Sequence, residues 1–198
     1  MKTIIIISLS SFFILLFPAT DAAEPAASQT KSVRGIVTMK GSIRSVTGTQ
    51  EQYHKKKEYG PFSFYSVPFY DGTFQCDWKH ESTQKVILVF DVDTKPIKHL
   101  LEVYINGRPS KGNVDIDKIS LVTYDQQKPK VVTETFTTAR SGVWHDTRGA
   151  FKGDTVTVSI GDQEFQLTHQ SLSQHKVRCG IGHCWGTLQT KDVRFQLP

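Results

Sequence analysis

From residue 33 onward the chain lacks any stretch of about 10 to 12 residues in which apolar side chains recur with a helical period. That absence excludes fold classes built on amphipathic helices. No segment repeats along the sequence, so repeat architectures are excluded too. Long hydrophobic runs are also missing: the apolar stretch from Ile4 to Phe17 is shorter than the roughly 20 residues that cross a bilayer, and Ser8, Ser10 and Ser11 break it. A transmembrane anchor in the mature chain is therefore not expected. Cysteine is scarce, with only Cys76, Cys179 and Cys184. The spacing Cys179-x4-Cys184, with His183 between, is not that of a metal site. The 24 Lys and Arg outnumber the 19 Asp and Glu, giving a net charge of +5 and a pI near 9.1. Yet the only dense basic run is Lys55-Lys56-Lys57, flanked by Glu51 and Glu58 and without interleaved aromatics. Nucleic acid is not an expected partner.

What is present begins with a leader. Met1-Lys2, the apolar run and "PATDAAEP" have the order of a charged region, a hydrophobic region and a small-residue cleavage zone. Thr20 and Ala22 suit positions −3 and −1, which predicts cleavage after Ala22 and export to a periplasmic or extracellular space. Residues 23–32, rich in Ala, Pro and Ser, read as a flexible tether. Residues 33–198 are the length of one domain. In an oxidising compartment three cysteines imply one disulfide and one odd thiol. Cys179 and Cys184, five residues apart in an extended strand, point to opposite faces, so Cys76 with Cys179 is the expected pair. Closing that loop of about 100 residues is worth up to about 4.7 kcal/mol in the chain-entropy account.

Nearly every apolar run then alternates with period two, the mark of half-buried antiparallel strands. "FQCDWKH" sets Phe74, Cys76 and Trp78 on one face; "KVILVFDVD", "LLEVYING", "KISLVTYD", "KVVTETFTT", "DTVTVSI", "EFQLTH", "VRCGIGHCWG" and "DVRFQL" follow. Turn signals separate them at Asp71-Gly72, Asn106-Gly107, Gly112-Asn113, Gly153-Asp154 and Gly161-Asp162. Unequal strand lengths and the almost wholly apolar "KVILVFDV" predict a sandwich of two antiparallel sheets rather than a closed barrel.

"VWHDTRGAFKGDTVTVSIGDQEF", followed by "KVRCGIGHCWGTLQTKDVRFQL", resembles the C-terminal half of concanavalin-like jelly rolls of the laminin-G type. It is most similar to the 3-keto-disaccharide hydrolase-like family. The matching features are Trp144, Arg148, Gly153-Asp154, "TVTVSI", Gly161-Asp162, "CGIGHCWG" and "DVRFQL". Upstream, "DGTFQCDWKH" resembles the family's opening inner strand, and "LLEVYING" stands where the family has a strand carrying a Glu. The resemblance covers residues 71 to 198 and implies a jelly roll that hydrolyses or eliminates an oxidised disaccharide or glycoside. The chain departs from the family in two places. "ESTQKVILVFDVD" lacks the Arg that ends the corresponding segment, and Asn106 stands where an Asp is common.

Glycoside cleavage needs two carboxyls about 5 to 9.5 Å apart. Glu102 is the candidate for one, on a face with Leu100, Tyr104 and Asn106 where desolvation favours a neutral carboxyl. Asp77, opposite to Phe74, Cys76 and Trp78, is the candidate for the second. Asp91 and Asp93 are alternatives that more naturally mark a strand exit. Tyr104, Asn106, His183 and Trp185 are the expected ligand-binding residues, with Trp185 offering a flat face to a sugar ring. Trp144 reads as a packing residue at the core or rim, and no Ser, Cys or acid is placed to make a triad with His145. Asn113, Asp115 and Asp117 could supply calcium with oxygen ligands. Two functions follow as expectations: a carbohydrate-active hydrolase, or a non-catalytic glycan-binding or envelope structural module.

Overall fold

The computed structural model describes residues 36–38, 44–49, 61–83, 85–110, 113–125 and 128–198; the side chains at 36–38, 107–110, 113–115, 125, 128 and 135–138 are not among those described. The leader, the tether and the Lys55 to Lys57 run lie outside these residues. The described strands form two antiparallel sheets. The seven-stranded sheet runs β1 (Ile36–Thr38), β13 (Gly186–Gln196), β4 (Gly72–Glu81), β9 (His145–Lys152), β10 (Thr155–Ile160), β11 (Gln163–Thr168). Strand β2 (Arg44–Gly48) shares β13 with β1, farther along the same edge. The six-stranded sheet runs β3 (Phe62–Tyr65), β12 (Lys176–His183), β5 (Lys85–Val92), β6 (Lys98–Ser110), β7 (Asn113–Asp125), β8 (Lys128–Ala139).

Alternation sorts each strand into an inner and an outer face. Phe74, Cys76 and Trp78 of β4 are fully buried, as are Val156 and Val158 of β10. They meet Leu88, Phe90, Leu101, Val103, Ile105 and Ile181 from the other sheet in one core. Phe90 lies at its centre, edge-on to Phe74 and Phe151 with ring centroids 5.7 and 4.8 Å away. Burial of each such side chain stabilises the fold by about 1.5–3 kcal/mol. Trp78 can be fully buried because its indole nitrogen donates to Thr147 Oγ1 at 2.8 Å. The apolar strand β5 is buried on both faces: Ile87 and Val89, on the side away from the core, are as inaccessible as Leu88 and Phe90.

Two local expectations are corrected. Asn106-Gly107 is not a turn, because β6 and β7 keep pairing past it with a register shift between Asn106 and Gly107. A glycine within a strand accommodates such a bulge, and the chain reverses later, between Ser110 and Asn113. "VRCGIGHCWG" is not one strand. It breaks at Cys184-Trp185, and Gly186 takes φ +80° at a point where a Cβ would lie 2.4 Å from the Glu81 carbonyl.

The expected Cys76 to Cys179 disulfide is absent. Cys76, Cys179 and Cys184 are buried, and none takes part in a disulfide. Cys76 belongs to β4 and Cys179 to β12, in opposite sheets. The two thiols approach across the core closely enough for Cys76 to add to the raised Cys179 pKa, but no bond joins them.

Candidate functional site

The outer face of the six-stranded sheet gathers most of the predicted residues. One row across it, in register, is Phe64, Gly180, Val89, Glu102, Val122 and Val131. The next is Phe62, Gly182, Ile87, Tyr104, Ser120 and Thr133. On the other side of the Glu102 row come Arg178, Asp91 and His99. Gly180 and Gly182 leave β12 without side chains in these rows, and Phe62 and Phe64 lean into the space. A Cβ at Gly180 would lie 2.7 Å from the Phe64 ring and from Val89; one at Gly182 would lie 2.8 Å from Phe62.

A hydrogen-bonded polar network runs across this face. The two oxygens of the buried Asp91 are divided between neighbours: Oδ1 meets His99 Nδ1 at 2.6 Å and Oδ2 accepts from Arg178 Nε at 2.5 Å. His99 Nε2 stands 4.0 Å from Glu102 Oε1, and Tyr124 donates its hydroxyl to Glu102 Oε2. Both carboxylate side chains are inaccessible, while His99 and Arg178 are about a third exposed. Burial works to raise the Asp91 pKa, but the hydrogen bonds and charges of His99 and Arg178 outweigh it and hold the group below the usual carboxylate value. The same hydrogen bond, donated to Asp91, raises the pKa of His99 against its partial burial. Arg178 is further fixed by stacking, its guanidinium carbon 4.1 Å from the Phe64 centroid.

Glu102, Tyr104 and Asn106 thus share the outer face of β6, where Lys85 Nζ stands 4.9 Å from the Tyr104 centroid. Asp77 is not brought to them. It sits on β4, on the outer side of the other sheet, with the core between it and Glu102. There Lys191 Nζ is 3.8 Å away. Burial, with Asp192 and Asp146, raises the Asp77 pKa against the pull of Lys191. The carboxyl that does stand near Glu102 is Asp91, while Asp93 is exposed beyond the end of β5. His183 is not on the face either. It pairs in register with the core residue Val86, is fully buried, and its Nε2 lies 3.0 Å from the Gly186 carbonyl. Burial lowers its pKa. Trp185 is half-buried in the β12 to β13 turn rather than on a strand.

Trp144 lies outside the core, just before β9, with the ammonium groups of Lys191 and Lys79 4.5 and 5.5 Å from its ring centroid. His145 faces inward, 5.0 Å from the Trp78 ring. For the calcium reading, the side chains of Asn113 and Asp115 lie outside the described residues, and Asp117 is half-buried on β7.

No protein-family profile and no curated protein sequence matches the chain. Solved structures do. CG-16, a homodimeric agglutinin from chicken liver, superposes with a TM-score of 0.54 at 9% identity, over 68% of this chain and 99% of that one. A tetrameric galectin from the ball sponge Cinachyrella sp. gives 0.51 at 16% identity, over 67% and 97%. An ancestral congerin gives 0.52 at 11%, over 67% and 98%. The chain has the concanavalin-like jelly-roll fold. Identities this low establish the fold alone.

Sequence reasoning missed His99, Tyr124 and Arg178. A signal existed for Arg178: alternation in "VRCGIGH" groups it with Gly180 and Gly182, so it is the one large side chain on that face of the segment. His99 and Tyr124 had none, because their partners come from neighbouring strands.

Proposed function

We propose that this protein is an exported glycan-binding module whose binding surface is the outer face of the six-stranded sheet. The observation that carries the reading is the Asp91, His99, Glu102 and Tyr124 network. It holds polar groups in fixed positions beside the partly exposed rings of Tyr104 and Tyr124, which is the combination a sugar ring requires: hydrogen bonds to hydroxyls and a flat apolar face. The fold shared with an agglutinin and a galectin supports it. Tyr104, Asn106 and Tyr124 are the proposed contacts, with Glu102 beneath them fixing the Tyr124 hydroxyl; Tyr124 is 42% exposed and the most accessible of the three. The test is a glycan array on the mature protein, followed by calorimetry with its best ligand. Tyr124→Ala is expected to weaken binding about tenfold, equivalent to about 1.4 kcal/mol. Absence of binding to any glycan overturns the reading.

The hydrolase reading, of the 3-keto-disaccharide hydrolase type, draws on the same residues, since Asp91 gives Glu102 a second carboxyl nearby. Its difficulty is geometric. In a glycosidase the scissile bond lies between the two carboxyls, and here the imidazole of His99 fills that space. Incubation with glucosides and 3-keto-glucosides separates the two readings: turnover that Glu102→Gln abolishes would establish the enzyme.

A further inference from the structure

Resting on that reading, we propose that Arg178 forms an anion-receiving subsite of the same face and that the glycan recognised carries a carboxylate. Arginine–carboxylate pairs are frequently bidentate, joined by two parallel hydrogen bonds. Here His99 occupies Asp91 Oδ1, and Arg178 reaches Oδ2 through Nε alone. Its two terminal nitrogens donate to no protein atom among the described residues. The guanidinium is nevertheless held at both ends of its plane, by Asp91 at its edge and by the Phe64 ring against its face. Phe64 can take that position only because residue 180 is glycine. The side chain is 30% exposed. A planar cation fixed in place, with the fork open and accessible, costs little to order when a planar anion arrives. A carboxylate matches the fork in both geometry and charge. Tyr104 lies on the same outer face, two rows from Arg178.

The experiment compares, by calorimetry on the mature protein, a uronic-acid tetrasaccharide, its carboxyl-reduced counterpart and a sulfated neutral tetrasaccharide. The carboxylated sugar is expected to bind at least tenfold more tightly than the reduced one. Arg178→Gln should erase that preference, and Arg178→Lys should restore it only in part. Circular dichroism establishes that each variant is folded; should Arg178→Gln not fold, the wild-type comparison decides alone. Equal binding of acid and reduced sugars overturns this inference while leaving the glycan-binding reading intact. So does a preference that survives Arg178→Gln, or tighter binding of the sulfated sugar. No binding by any of the three, together with an empty array, overturns both.

Discussion

Lys176 is fully buried, and its ammonium is enclosed by protein: Nζ donates to the carbonyls of Tyr70 and Leu172 at 2.6 Å each and stands 4.8 Å from the Phe151 centroid. Burial lowers its pKa from 10.5 to about 8, with Asp71 pulling the other way. Between those two values the unfolded chain holds a proton that the folded protein has released, so stability should rise with pH across this window. The expected gain relative to Lys176→Met, on the order of 2–3 kcal/mol, would be read by urea unfolding at pH 7.5 and 10.5. A wild-type curve parallel to the variant's would refute it. His99 and Asp91 work in opposite senses. The raised His99 pKa gives stability that is full below its unfolded value and lost as pH climbs through the folded one. The lowered Asp91 pKa gives stability present above its unfolded value and lost as pH falls through the folded one. The pair therefore contributes most in mildly acidic solution, and His99→Gln should remove the fall in stability that follows as pH climbs past the unfolded His value. The three cysteines provide a count. Burial pushes the Cys76 and Cys179 thiols far above their ordinary values, so a thiol reagent should find them inert in the native protein and should titrate three groups in denaturant. A count of one would show that a disulfide joins two of the three.

At the scale of the element, the β12 to β13 connection is tightly constrained. Gly186 combines a left-handed φ with contact against the backbone of Glu81, Ser82 and Thr83. Gly186→Ala should cost on the order of 2 kcal/mol or more, measured as a lowered denaturation midpoint. Strand faces were legible in the sequence because alternation is a property of neighbours along the chain: "FQCDWKH" and "TVTVSI" give their buried residues directly. Strand ends were less so. Asn106-Gly107 has the composition of a hairpin, and only continued pairing of β6 with β7 makes it a bulge.

At the scale of the whole molecule, the two sheets meet at an edge where Lys130 of β8 donates to the Thr168 carbonyl of β11 at 2.7 Å. A lysine there also discourages another chain from adding to β8. Export remains our proposal at this scale: mass spectrometry of the secreted protein should find Ala23 at its amino terminus, and retention of the leader would overturn it.

The sequence by itself determined that the chain is an antiparallel β-sandwich and which side of most strands faces the core, since a period of two needs no knowledge of partners. It also grouped Glu102, Tyr104 and Asn106 on one face. The tertiary structure decided which sheet each strand joins, and with it the site. Asp77 and Glu102 read alike in sequence yet stand on opposite outer faces, while Asp91, His99 and Arg178, from three strands, share one carboxylate. Pairing joins residues as far apart as 91 and 178, and no local pattern encodes which distant strand supplies the neighbour.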